Sequence, residues 1–303
     1  MRKLLYRNCP LCGGNNPKVK YRRNYNLKEI KSELFSARRE RKKKAYEHNA
    51  FCVCKNCGMV YSNPILDPSL VKGLYEKSKY NYSEEEKNLK LGYGAYLEKT
   101  FKYLEAKDRI LDVGTGNGFL LDVALEKGFK KAFGIEPSKH AITSSKKMKN
   151  KKIVEDILKE KQFQKETFDL VCFFQIIDHI ENPLAALNIC HGYLKKNGIL
   201  LCVSHDIDSL STKIMGEKSP IFDIEHTHLF SKKTIRKMLE KAGFEVLEIG
   251  DAKSIFRIDY LIHLLPLSLG VKKTLRNFLK KMRLGEKSIK LKPGNFYAIA
   301  KKS

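Results

Sequence analysis

Three groups of residues carry chemistry by type and spacing. The first runs from Ile110 to Leu121, I-L-D-V-G-T-G-N-G-F-L-L, where Asp112 precedes Gly114, Gly116 and Gly118. Arg109–Val113 reads as a buried parallel strand, and Phe119–Leu125 resumes at helical spacing, so the glycines occupy a strand-to-helix turn. Glycine suits that turn because the backbone must bend sharply and let a ligand approach without a Cβ in the way. A dinucleotide site would space its glycines G-x-G-x-x-G; here the third comes one residue early. An acid at the end of the first strand meets a cationic ligand, not a phosphate, and S-adenosylmethionine (SAM), with its ammonium and sulfonium, is such a ligand.

The second group is Cys9-Pro10-Leu11-Cys12-Gly13 and Cys54-Lys55-Asn56-Cys57-Gly58. Each C-x-x-C-G is a knuckle whose glycine permits a tight turn, and two knuckles supply four thiolates for a structural, tetrahedral zinc with no open position. Cys52 could compete as third ligand, but only Cys54 has the knuckle spacing. Cys172, Cys190 and Cys202 lie in apolar stretches and read as core. The third group is histidine-rich: Asp178-His179 after a strand, His205 after another, and Glu225-His226-Thr227-His228 in a long loop. Imidazole titrates near neutral pH, which suits proton removal. His226 is the leading base, with Glu225 orienting it or acting itself, and His179, His205 and His228 are reserves. His228 reads as packing near Phe230.

The segment from Asp112 to Gly118 resembles motif I of the class I SAM-dependent methyltransferases. The phrase Phe35-Ser36-Ala37-Arg38-Arg39, followed by His48, the second knuckle and Val60-Tyr61-Ser62-Asn63-Pro64, resembles the zinc-binding N-terminal module of a bacterial and archaeal branch linked to surface-polysaccharide and small-molecule pathways. E-H-x-x-x-F-S at 225–231 is similar to sugar and small-molecule methyltransferases. The resemblance implies cofactor contacts at Asp112, Gly114, Gly116, Gly118, Glu136, Asp156 (or Glu155) and Gln175. Glu136 follows Gly114 by 22 residues, one strand–helix–strand unit, and a carboxylate there can accept from both ribose hydroxyls. Asp156 would meet the adenine amino group. A tyrosine-rich stretch precedes motif I, and Tyr80 or Tyr82 either covers the cofactor or packs.

Positioning these residues takes an α/β frame. Strands at 109–113, 132–135, 152–154, 168–174 and 199–204 alternate with helices, which implies a Rossmann-like parallel sheet with helices on both faces. Strands 244–249 and 295–301 complete seven, and the resemblance makes them an antiparallel edge hairpin. A helix over 183–195 is expected to stop at Asn197-Gly198. Residues 1–62 form a zinc-ribbon-like module with a basic insert, 63–105 a linker with pre-domain helices, and 106–303 the methyltransferase domain with a helical insertion at about 251–294. In that insertion Val271, Leu275, Phe278, Leu279 and Met282 recur at helical spacing among Lys272, Lys273, Arg276, Lys280, Lys281 and Arg283. The pattern fits a helical cap or an interfacial helix on anionic lipid, with peripheral contact through 255–283.

The chain has 303 residues, 42% of them apolar, and a formal charge of +25, which invites a nucleic-acid reading. Against it, 47 lysines outnumber 12 arginines and are spread along the chain, whereas phosphate-reading surfaces favour arginine forks. No N/D-P-P-Y/F-type phrase follows the fourth strand. The expected acceptor is a small molecule or glycan-pathway intermediate (sugar, nucleotide-sugar or lipid-linked), methylated on O or C. The alternative is an RNA methyltransferase gripping its substrate with the zinc module and basic helices. Arg38 and Arg39 could reach an acceptor phosphate. No apolar run reaches the roughly 18 residues of a membrane span, and the N-terminal apolar run stops at Tyr6. The expectation is a cytoplasmic protein, peripheral at the inner membrane face if the basic helix lies on lipid.

Overall fold

The computed structural model describes residues 4–35, 47–76, 86–265, 267–282 and 284–303. Arg38, Arg39 and the basic run 41–44 fall outside them, as do Tyr80 and Tyr82. The N-terminal part holds β1 (Leu4–Leu5), β2 (Pro17–Tyr21), β3 (Phe51–Cys54), β4 (Val60–Ser62) and β5 (Ile65–Leu66), then helices α1 (Pro68–Glu76) and α2 (Glu86–Thr100). Alternation follows: β6 (Arg109–Val113), α3 (Phe119–Glu126), β7 (Lys131–Ile135), α4 (Lys139–Thr143), β8 (Lys151–Val154), β9 (Phe168–Phe174), α5 (Pro183–Tyr193) and β10 (Leu194–His205). The C-terminal third adds α6 (Leu210–Met215), β11 (His228–Leu229), α7 (Lys232–Lys241), β12 (Phe244–Arg257), α8 (Ile258–Leu264), α9 (Leu269–Lys281) and β13 (Ser288–Lys302).

Seven strands form the central sheet in the order β12-β13-β10-β9-β6-β7-β8. Neighbours are parallel except β13, which runs antiparallel to both β10 and β12. Strand period sorts the side chains. Val171 and Phe173 join Leu187, Ile235 and Met238 of α5 and α7 on one face; Leu170, Cys172 and Phe174 join Leu97 and Leu120 of α2 and α3 on the other. β9 is buried on both faces along its whole length, which explains its nearly unbroken apolar sequence. Ser231 caps α7 in a reciprocal capping box with Thr234, a device of about 1 kcal/mol.

Three sequence expectations need correction. The helix from Pro183 ends at Tyr193, and Asn197-Gly198 lies inside β10. There Asn197 takes φ 61° where the pairing with β9 shifts register, so the dipeptide serves an irregular strand instead of stopping a helix. The insertion is less helical than expected. β12 runs to Arg257 and β13 starts at Ser288, extending the edge hairpin into an arm, and α8 and α9 sit at its tip. The apolar stretch 255–269 straddles strand and helix, which hid both periods.

The third correction is the loop 207–230. It contains α6 and β11, and β11 pairs with β4, His228 opposite Tyr61 and Leu229 opposite Val60. The second sheet is therefore β11-β4-β3-β2, with one strand lent by the C-terminal half. Met59 and Tyr61 share the core of the α5–α7 face.

Candidate active site

A cavity of about 660 Å3 opens at the carboxyl ends of the parallel strands. At one end β6 delivers Asp112 and the glycine turn. Gly114 takes φ 72°, and a Cβ there would lie 2.5 Å from Cγ1 of Ile176, so both conformation and space require glycine. Gly118, also at φ 72°, is the N-cap of α3. Gly116 donates its amide to Glu136 Oε2 at 2.9 Å, and Ser138 donates to Oε1 at 2.8 Å. Two backbone donors thus fix Glu136 at the cavity wall. Asp112 is 3% exposed, and its Oδ1 has no hydrogen-bond partner. Burial pushes its carboxyl up to about 7, and the nearby Glu136 carboxylate adds to the shift. A buried, unsatisfied carboxylate beside a glycine cradle fits a ligand with an ammonium group. Gln175, at φ 53°, also lines the cavity with a buried, unpartnered Oε1.

Tyr93 of α2 covers this end, its ring stacked 4.3 Å from Phe174. Asp156 stands apart from the other expected cofactor residues. It is not on the cavity wall; its carboxylate engages Lys159 Nζ at 2.7 Å and the amide of Ile157 at 2.8 Å, a local turn after β8.

The far end gathers three histidines around Asp178. His205 Nδ1 lies 2.6 Å from Asp178 Oδ2, His226 Nε2 lies 3.9 Å from the same oxygen, and His179 Nε2 lies 3.8 Å from Oδ1. The His226 ring sits 4.7 Å from each of the other two. Burial alone would raise Asp178; the imidazoles outweigh it and hold the carboxyl well below the usual range. Burial pulls His179 down to about 3, so its ring is neutral. His226 donates Nδ1–H to the carbonyl of Ile221 at 2.7 Å. Glu225 lines the same wall, but the bond that sets the His226 ring comes from Ile221. His228 is fully buried and stacks near Phe230, as its packing role requires.

The N-terminal unit holds the loop that carries His226. Ser62 donates Oγ–H to the His226 carbonyl and its amide to Thr227 O. Arg7 donates to the carbonyls of Ser62, Glu181 and Thr227, Asn49 donates to Ile224 O, and His48 meets Glu217. From the other side, the amides of Thr227 and His228 donate to the carbonyl of Asp178. The base candidates are thus tied into both sheets.

The four knuckle cysteines also converge. Their Sγ atoms all lie within 4.8 Å of one another, with Cys9–Cys57 and Cys12–Cys54 each at 3.5 Å. Backbone amides of Leu11 and Cys12 point at the Cys9 sulfur, and those of Asn56 and Cys57 at the Cys54 sulfur. Four thiols with amide donors are the donor set of a closed tetrahedral site. Cys52 is outside it, its thiol directed to Asn63 O.

The family profile described as a methyltransferase domain matches residues 86–249, which hold the glycine turn, Glu136, and Asp178 with its three histidines. The chain belongs to this methyltransferase family. It is 29% identical over 154 residues to a ubiquinone biosynthesis O-methyltransferase of Dinoroseobacter shibae, covering 46% of this chain and 61% of that one. It is 30% identical over 126 residues to an uncharacterised methyltransferase of Schizosaccharomyces pombe, covering 35% and 43%. A tRNA U34 carboxymethyltransferase of Helicobacter pylori matches at 27% over 156 residues, covering 47% and 59%. The chain spans about half the length of these curated relatives. Among solved structures, the methyltransferase fold is shared with a candidate methyltransferase of Bacillus halodurans at TM-score 0.51 and 20% identity, covering 69% of this chain and 97% of that one.

Sequence reasoning missed that Asp178 gathers the three histidines and that Tyr93 covers one end of the cavity. The Asp178-His179 pair was visible, but its bond to His205 spans 27 positions and leaves no local pattern. Tyr93 was one tyrosine among several upstream of the glycines.

Proposed function

We propose that the chain transfers the methyl group of SAM to a hydroxyl of a small amphipathic molecule. The observation that carries this is the single cavity joining the Asp112–Glu136 end to the histidine end, walled by β12 and α8 residues Ile255, Phe256, Tyr260 and Leu261. SAM supplies a methyl already activated by positive sulfur. Asp112 would meet its ammonium, Glu136 its ribose hydroxyls, and Tyr93 would shield it from water. The acceptor head would sit among the histidines and its apolar part against the α8 wall.

Removal of the acceptor proton is assigned to His205 Nε2. Its Nδ1 is held by a buried carboxylate, which fixes the ring and stabilises the imidazolium that forms. The sequence alone favoured His226, but that ring is held by a neutral carbonyl. The cysteine cluster would hold one structural zinc. Val271, Leu275, Phe278 and Met282 of the α9 segment are exposed, while Lys273, Arg276, Lys280 and Lys281 flank them. That outward apolar face, beside the α8 wall, suits a surface of anionic lipid from which a lipid-soluble acceptor could enter. Among the described residues no helix is long and apolar enough to cross a membrane.

The test is transfer of labelled methyl from SAM into fractionated cell extract. Label in an organic-soluble small molecule supports the reading. Label in RNA overturns it and favours the nucleic-acid alternative. With the acceptor in hand, His205→Ala should lower kcat by roughly 10² to 10⁴ with SAM affinity unchanged.

A further inference from the structure

We propose that Asp178, His179 and His226 bind a divalent first-row transition metal at the acceptor end of the cavity, separate from the cysteine cluster. The inference rests on the proposed hydroxyl methylation for its purpose, though not for its geometry. One carboxylate oxygen of Asp178 and one ring nitrogen from each of the two histidines lie within 4.8 Å of one another. Metal bonds of about 2.0–2.2 Å need somewhat closer ligands, so binding would draw the three side chains together.

Two further observations point to a ligand. Asp178 is fully buried, and while His205 occupies its Oδ2, its Oδ1 has no hydrogen-bond partner. A buried acceptor left unsatisfied in the folded chain is costly unless something fills it. His226, for its part, gives its Nδ1–H to the Ile221 carbonyl, so the lone pair sits on Nε2, toward Asp178. Metal-bound histidines are oriented in this way, with the other ring nitrogen donating to a carbonyl or carboxylate. The Asp178–His205 bond supplies the matching support for the carboxylate.

The donor set selects the ion. Two imidazoles and one carboxylate favour zinc, manganese, iron or cobalt over magnesium or calcium, and leave open positions. His179, His226 and Glu225 all line the cavity, so the open side faces the acceptor. Two adjacent acceptor oxygens, as in a vicinal diol or a hydroxy-carbonyl, could chelate there. A metal-bound hydroxyl gives up its proton more readily near neutral pH. That proton passes to His205 Nε2, the oxygen attacks the methyl carbon, and the C–S bond breaks with its electron pair left on sulfur. No redox change is involved.

The experiment titrates Co²⁺ into the full-length protein after its cysteine cluster has been filled with zinc, following cobalt absorption and, in parallel, Mn²⁺ by electron paramagnetic resonance. The expected result is one further equivalent with a nitrogen–oxygen spectrum free of thiolate charge-transfer bands. His226→Ala and His179→Gln should lose it, Cys52→Ser should keep it, and His205→Gln should weaken it by about 10–100-fold. Circular dichroism and SAM binding verify that each variant is folded. Absence of the second equivalent in the wild-type protein overturns the proposal, as does unchanged affinity in folded His226→Ala and His179→Gln. Metal binding without hydroxyl methylation would sustain the site and sink the proposed function, so the two fail separately.

Discussion

Replacing Asp112 by asparagine should stabilise the SAM-free protein at pH 8 while crippling its affinity for SAM. The carboxyl is buried and moves from 3.8 to about 7 on folding. Three units at 1.36 kcal/mol each amount to about 4 kcal/mol. Because the folded pKa lies above the unfolded one, the folded chain keeps a proton that the unfolded chain has released. That contribution is fully present below about pH 4, is lost progressively as pH rises to about 7, and stays lost above it. Between pH 5 and pH 8 the wild-type protein should therefore lose about 3 kcal/mol more stability than Asp112→Asn, which has nothing to ionise. Glu136 shifts in the same direction, so the comparison with the variant, not the wild-type curve alone, isolates Asp112. Urea unfolding at several pH values gives the stabilities, and calorimetry gives the SAM affinity. Wild-type SAM binding should strengthen as pH rises through 7, when the carboxylate forms. Parallel stability curves for the two proteins, or equal SAM affinity at pH 8, would refute the reasoning.

Other outcomes follow from the same structure. Gly114→Ala forces an L-residue to φ 72° and a Cβ against Ile176; it should destabilise by about 2–4 kcal/mol and abolish SAM binding by calorimetry, and Gly116→Val should abolish it too. Elemental analysis should find one zinc in the protein and in Cys52→Ser, but none in a Cys54→Ser cluster. Arg7→Met removes three hydrogen bonds, to the carbonyls of Ser62, Glu181 and Thr227, each worth about 1 kcal/mol; methyl transfer should slow while SAM affinity holds, and an unchanged rate would show that the Arg7 contacts do not position the loop. Leu275→Glu with Phe278→Glu should release the protein from anionic vesicles, whereas equal recovery with neutral and anionic vesicles would make α9 an ordinary cap.

Local patterns carried most of the fold. Alternating strand and helix signals, the glycine turn and the two knuckles each occupy a few adjacent residues, so their physics is written in spacing. What could not be read is what spacing does not encode. His228–Leu229 looks like loop because two residues have no period, yet it completes the sheet begun by β2, β3 and β4. Asn197-Gly198 is equally good chemistry for a helix stop or an irregular strand, and the neighbouring strand β9 decided it. At the site, Asp112 and Glu136 were legible from position in the strand order. The partners that His205 and His226 find through Nδ1 were not, since those bonds are set by the fold and leave no spacing pattern.

The strand that β11 lends to the N-terminal sheet has an evolutionary consequence. A unit joined only by a tether can be lost, exchanged or grafted onto another enzyme with little effect on its host. Here β4 needs residues 228–229 to finish its ladder, and His226 two positions earlier hangs from Ser62. The cysteine-bearing segment and the segment 226–229 must therefore be inherited as a pair. Grafting either one alone onto a foreign relative would leave a raw sheet edge on one side and a slack loop on the other.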